Sequence, residues 1–211
     1  MYIAIEGVIG VGKTTLARLL QSSFDAELLL EIFEENPFLS DFYADRERYA
    51  FQTQIFFLLS RYHQQRKGVR DALENKPWLI SDYTFEKDRL FAEVNLDGDE
   101  LEMYFKVHEA LAEKIIKPDL TVYLRADTDV LMQRIAQRDR PYERQMEVDY
   151  IDTLNKTYDA RFTIKTKNPV LTINTNQLDF VRNREDLEFV EQQIRQTLKM
   201  APFQESLPID L

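Results

Sequence analysis

The chain has 211 residues, of which 44% are hydrophobic and 30% charged, with a formal net charge of −10; this suits one soluble globular domain spanning 1–211. It has no cysteine and two histidines, His63 and His108, which excludes disulfides, thiol catalysis and cysteine-based zinc sites and leaves little room for a serine–histidine triad. The acidic balance argues against a nucleic-acid polymer as partner, and no apolar run approaches the roughly 20 residues of a membrane span.

Tyr2–Glu6 reads as a short strand. Directly after it, "GVIGVGKTT" has the spacing of a phosphate cradle: Gly7, four residues, then Gly12, Lys13 and Thr14, with Gly10 inside the loop and Thr15 next in line. Glycines let the backbone approach phosphate oxygens without a Cβ in the way. The helix predicted over Lys13–Phe24 adds its positive end. Lys13 is expected to reach the β- and γ-phosphates, and Thr14 to offer a hydroxyl to Mg²⁺. One partner is therefore a nucleoside triphosphate such as ATP. With this motif starting at Gly7, no removable leader is expected and the cytoplasm is the expected location.

Further along, Glu27–Leu30 is an apolar run and a long helical pattern covers Arg46 to about Glu74. Trp78–Ser81 is a third strand, followed by helices near Phe85–Asn95 and Asp99–Ile116, split by the turn signal "LDGDE". Then come a strand at 120–124, a helix over Thr128–Arg138, a helix from Glu147 to about Lys165, a strand at Val170–Ile173 and a helix over Arg184–Lys199. The tail from Pro202 is expected to wrap the surface or fray. Strands alternating with helices predict an α/β fold: a doubly wound, parallel, five-stranded sheet with helices on both faces. In such sheets ligands bind beyond the carboxyl ends of the strands, so residues that follow strands matter most.

The acceptor of the terminal phosphoryl group is the open question. Water, as in a GTPase switch, calls for an Asn-Lys-x-Asp segment; Asn176-Gln177-Leu178-Asp179 lacks the lysine, and no Asp-x-x-Gly follows a strand. An alcohol acceptor instead needs a carboxylate after a strand, within reach of the hydroxyl proton. Glu31 after "ELLL" and Asp82 after "WLIS" qualify; one can take the proton while the other helps to hold magnesium. Gln54 and Arg61 lie seven residues apart, almost two turns of one helix, and interrupt an apolar stretch. A buried amide and guanidinium need partners.

In chain order, "EGVIGVGKTTL", "LLLEIFEENPFLSDFY", "YAFQTQIFFLLSRY", "LISDYTFEKDRLFA" and "RIAQRDRPYE" resemble the deoxyribonucleoside kinase family, most of all its bacterial deoxyadenosine and deoxyguanosine kinase branch. The likeness covers about Tyr2 to Phe162. It implies that Glu31 is the catalytic carboxylate, here followed by Ile32 where many members have proline. It implies that Gln54 reads the edge of the nucleobase with Arg61 near it, and that Asp88 contacts the base. For Asp88 a surface pair with Lys87 or Arg89 is equally open. Phe57 and Phe85 can stack on the base or be plain core. Tyr43 and Glu143 resemble the pair that binds the sugar 3′-hydroxyl. Arg134, Arg138, Arg140 and Arg144 fit a phosphate-closing lid at about 138–146, although arginines at a helix end also complement its dipole. Many members have an arginine after the acid that corresponds to Asp82; Tyr83 stands there, which leaves Arg89 as the candidate cation to orient the carboxylate. The family is usually dimeric, and the apolar helix at 50–60 is compatible with a homodimer.

Two other readings share the cradle. A nucleoside monophosphate kinase of the thymidylate kinase kind would need cations where Glu31 stands. A non-catalytic, switch-type module would bind nucleotide without acceptor-dependent turnover.

Overall fold

Five parallel strands lie in the order β2-β3-β1-β4-β5, and the computed structural model describes residues 1–164 and 168–200. The strands are β1 (Tyr2–Glu6), β2 (Ala26–Leu29), β3 (Trp78–Ser81), β4 (Leu120–Arg125) and β5 (Val170–Asn174). The helices are α1 (Lys13–Phe24), α2 (Leu39–Ala44), α3 (Arg46–Asn75), α4 (Glu86–Asn95), α5 (Gly98–Ala112), α6 (Thr128–Arg138), α7 (Val148–Phe162) and α8 (Arg184–Thr197). The expectation for the Pro202–Leu211 tail falls outside the described residues.

β1 is buried along its whole length, as a strand covered on both faces must be. Its side chains alternate between two clusters. Tyr2 and Ala4 pack with Val69 of α3 and Leu79 of β3, while Ile3 and Ile5 belong to the cluster that holds Leu16 and Leu20 of α1. Period-two alternation thus places α3 and α1 on opposite faces of the sheet, the doubly wound arrangement expected. The chain runs from β1 toward β3 and β2 first, and later crosses to β4. The order therefore reverses at β1, where a crevice opens beyond the strand ends.

Differences from the sequence expectation are local. β2 stops at Leu29, because the Leu30 carbonyl leaves the ladder and accepts from Gln64 Nε2 at 2.7 Å. α5 stops at Ala112, short of Ile116. The six-residue α2 and two single 3₁₀ turns at Phe33–Glu35 and Pro141–Glu143 were not expected; they are too short to carry a periodic signal.

Candidate active site

The loop from Gly7 to Gly12 joins the end of β1 to α1. Gly7, Gly10 and Gly12 have φ of 147°, 88° and 103°, a region closed to most side chains. A Cβ on Gly7 would also lie 2.5 Å from the Leu124 carbonyl oxygen. Lys13 Nζ donates to the carbonyls of Gly7 at 2.7 Å and Val8 at 3.1 Å, so the ammonium stands over the loop. Burial, with the charge of Lys87 adding to it, lowers the Lys13 pKa to about 8. Thr15 is exposed on the first turn of α1.

Asp82, just after β3, links two neighbouring elements. Its Oδ2 accepts from the Thr14 hydroxyl and its Oδ1 from the Glu31 backbone N–H at 2.8 Å. Glu31 itself is gripped from two sides. Oε1 accepts from Arg61 Nε at 2.9 Å and Nη2 at 2.5 Å, and Oε2 from Lys87 Nζ at 2.5 Å. Burial alone would raise the Glu31 pKa, but Lys87 and Arg61 outweigh it and hold the carboxyl well below the ordinary range. Arg61 Nη1 donates to Asp88, which is fully buried. Burial raises the Asp88 pKa, against the pull of Arg61. Asp88 is thus no surface partner of Lys87 or Arg89.

The cleft above this cluster is lined by Lys13, Thr14, Glu31, Tyr43, Phe57, Arg61, Asp82, Lys87, Arg138, Arg140 and Glu143, among others. Residues as far apart in sequence as Lys13 and Glu143 therefore meet in one place. Arg138 and Glu143 form a bidentate pair at 2.7 Å through Nη2, Arg140 lies over the Phe33 ring at 4.1 Å, and Tyr43 stacks on Tyr142 at 5.9 Å. Arg144 pairs with Asp139 at the surface.

Three expectations are corrected by the geometry. Arg134 does not face the cleft: it donates to the carbonyls of Thr175 and Leu178 and to the Thr175 hydroxyl, pinning α6 to the loop after β5. Phe85 stacks on His108 at 4.7 Å and borders a different cavity, with Tyr2, Thr121 and Val170. Arg89 is taken by Glu93 and Glu109 and lies over Phe105, so it does not orient the carboxylate. Gln54 and Asp88 are not displaced in this way: both are buried behind side chains that line the cleft, Asp88 against Arg61, and each keeps an oxygen, Oε1 and Oδ2, without a partner among the described residues.

Two residues were missed. Lys87 supplies the cation on Glu31, yet in sequence it looked like half of a surface pair. Glu6 is fully buried and accepts from Thr84 N at 2.5 Å, Thr84 Oγ1 at 2.8 Å and Gly7 N at 3.2 Å, joining the loops after β1 and β3. An acid at the end of an apolar strand was the available signal. Tyr83 is also buried; it donates to Gln64 Oε1 at 2.5 Å, and Gln64 in turn holds the Leu30 carbonyl.

Larger cavities exist, one of about 600 Å³ between α1 and α8, but it contains neither the phosphate loop nor the buried carboxylates. Residues 3–199 match the model of the deoxynucleoside kinase family. The chain is 35% identical over 201 residues to the deoxyguanosine kinase of Bacillus subtilis (strain 168), covering 93% of this chain and 97% of that one. It is 32% identical over 182 residues to the deoxyadenosine kinase of Dictyostelium discoideum, covering 83% and 73%. Its fold superposes on the deoxyadenosine kinase from M. mycoides with bound dCTP at a TM-score of 0.80, with 27% identity, covering 93% of this chain and all of that one. A phosphate loop after the central strand, a buried carboxylate within reach of it and a match along nearly the whole length agree: the chain belongs to the deoxynucleoside kinase family, whose members are phosphotransferases acting on an alcohol.

Proposed function

We propose that this chain transfers the γ-phosphoryl group of ATP, or of another nucleoside triphosphate, to the 5′-hydroxyl of a deoxyribonucleoside. The observation that carries this is Glu31: a largely enclosed carboxylate held by Arg61 and Lys87 in the same cleft as Lys13. The hydroxyl proton passes to a Glu31 oxygen, the sugar oxygen forms the new bond to the γ-phosphorus, and the bond to the β-phosphate oxygen breaks to release the diphosphate. Lys13 can exchange the carbonyls of Gly7 and Val8 for phosphate oxygens. Arg138 and Arg140 place positive charge over the transferring group. The cleft encloses about 100 Å³, less than the ~300–1,000 Å³ of ordinary small-molecule sites. The 138–146 segment is assigned as the lid whose closure over the bound substrates excludes water.

Mg²⁺ fits the residues present. Thr14 and Asp82 offer hard oxygen donors in contact with each other, and Mg²⁺ takes one or two protein ligands beside phosphate and water. When bound it neutralises charge on the phosphates.

The substrate leans to purine deoxynucleosides, deoxyguanosine foremost, then deoxyadenosine, with deoxycytidine also open. The unpartnered oxygens of Gln54 and Asp88 are acceptors and suit a base edge rich in N–H donors, as guanine has. Relatives named for deoxyguanosine and deoxyadenosine support this. Tyr43 and Glu143 are assigned to the sugar 3′-hydroxyl. A monophosphate acceptor is disfavoured because Glu31 stands at the acceptor position, and its cationic neighbours, Arg61 and Lys87, are already paired with Glu31 and Asp88. We read the chain as one domain acting in the cytoplasm as a homodimer; Leu59 of α3 and Met103 of α5 are exposed apolar side chains suited to a contact between copies. Among the described residues no helix is long and apolar enough to cross a membrane.

The test is diphosphate release from ATP with each natural deoxynucleoside, with thymidine monophosphate, and with no acceptor. Release only with deoxynucleosides is expected. Release that ignores the acceptor would point to a switch or ATPase, and turnover of the monophosphate alone would move the reading to the other kinase class. Light scattering decides the homodimer.

A further inference from the structure

Lys87 sits in the first turn of α4, where a cation opposes the helix dipole, and its side chain is only 8% exposed. Burying an ammonium there requires a partner, and the partner is Glu31 Oε2 at 2.5 Å. The other carboxylate oxygen belongs to Arg61, whose remaining amino group is committed to Asp88. Four side chains thus form one line, Asp88–Arg61–Glu31–Lys87. Both of its ends come from adjacent residues of α4, so a single helix turn clamps the line at each end. The two cations differ in kind. Arg61 is a rigid fork anchored on both sides, whereas Lys87 is a point charge on a flexible stem. Phe91 stands beside its ammonium at 5.6 Å. Lys87 lines the cleft together with Glu31.

We propose that Lys87 is a positioning residue for phosphoryl transfer: it fixes the Oε2 edge of the Glu31 carboxylate toward the acceptor hydroxyl and acts through Glu31, not on the triphosphate. The inference rests on the reading of Glu31 as the proton acceptor. A flexible carboxylate held on one oxygen only is free to rotate, and misplacement by about 1 Å at a reacting group costs about 10²-fold in rate.

The experiment is a double-mutant cycle on the full chain, with Lys87→Met, Glu31→Gln and the double variant, each assayed for kcat and for KM of ATP and deoxyguanosine. Lys87→Met is expected to lower kcat about 10–100-fold with KM for ATP within about threefold. In the Glu31→Gln background the same change is expected to cost less than about threefold, since a residue that acts through Glu31 has nothing left to position. Lys87→Arg is expected to recover at least about tenfold over Lys87→Met. Thermal melts identify any variant that does not fold; Lys87→Ala, which likewise cannot donate to Glu31, then takes the place of Met with the same expectations. An equal loss of kcat in both backgrounds overturns the proposal, as does a tenfold rise in KM for ATP with kcat unchanged. Full activity of Glu31→Gln would instead overturn the assignment of the proton acceptor, so the two failures are separable.

Discussion

Glu31→Gln removes one charge and almost no volume, so it separates the chemistry of the carboxylate from its shape. Loss of a positioned general base lowers kcat by about 10²–10⁴-fold, or about 3–5 kcal/mol of barrier. The same change disturbs the fold. The Glu31 side chain is 13% exposed and receives hydrogen bonds from Arg61 and Lys87. Breaking a buried ion pair costs about 3–5 kcal/mol. Here Asp88 still serves Arg61 and the amide oxygen still accepts, so about 2–3 kcal/mol is expected. In a chain of this size that lowers Tm by about 5–10 °C. The sign with pH follows from the depressed folded pKa. The ionised group contributes its stability above the unfolded value of about 4.5 and loses it progressively as pH falls toward the folded value. The Tm gap between wild type and variant should therefore narrow in acid. Coupled diphosphate release measures kcat, and calorimetry from about pH 7 to pH 4 measures the gap. A variant with kcat within about threefold of wild type, even with the expected Tm loss, would make the carboxylate structural only and refute the mechanism.

Lys13→Ala should abolish turnover while the fold survives. In the wild type, the cationic form of Lys13 is lost from the free protein as pH rises through about 8, so ATP affinity should fall up to about tenfold per pH unit above that; a dissociation constant that stays flat to about pH 9.5 would contradict it. Gly7→Ala puts a Cβ 2.5 Å from a backbone carbonyl at φ 147°, and should cost about 2–3 kcal/mol or more together with ATP binding; an unchanged melt would show that the loop shifts at little cost. Asp82→Asn keeps an acceptor for the Glu31 N–H but removes the charge, so the Mg²⁺ concentration for half-maximal rate should rise about tenfold or more; an unchanged Mg²⁺ curve would take Asp82 out of the metal site. Arg89→Ala should leave kcat within about twofold, because its partners are Glu93, Glu109 and Phe105; a large loss would restore it as the orienting cation.

The strands and long helices were legible because they repeat a pattern over many residues: β1, α1, α6 and β3 stand at the predicted bounds. The phosphate loop was legible because its chemistry is local. Gln54 and Arg61 announced their burial by breaking an apolar stretch of α3, and both are buried. What failed has one physical cause. An arginine reaches far enough to choose among several partners, and spacing does not tell which. Arg134 went to the Thr175 and Leu178 carbonyls and Arg89 to Glu93 of its own helix and to Glu109 and Phe105 of α5, while Lys87, which looked like a solvated neighbour of Asp88, turned inward to Glu31. Phe85 illustrates the same limit for aromatics: it found His108, a partner 23 residues away.

The order of the strands explains why these few residues suffice. β3 lies between β2 and β1, with Leu29 and Ala4 both in register with Ser81. Glu31 follows β2, Asp82 follows β3, and the phosphate loop with Thr14 follows β1. Neighbouring strands are about 4.8 Å apart, so Glu31 and the phosphate loop are separated by about two strand spacings with Asp82 between them. One carboxylate can then touch both neighbours, as its bonds to the Thr14 hydroxyl and the Glu31 N–H show. Glu6 repeats the device one layer deeper, joining the loop after β1 to the loop after β3 through Gly7 and Thr84. The distance between Glu31 and the phosphate loop is therefore set by backbone pairing, which is stiff, and not by side-chain reach, which is not. Only the final aim of the Glu31 carboxylate is left to side chains, and there α3 and α4 supply one cation each.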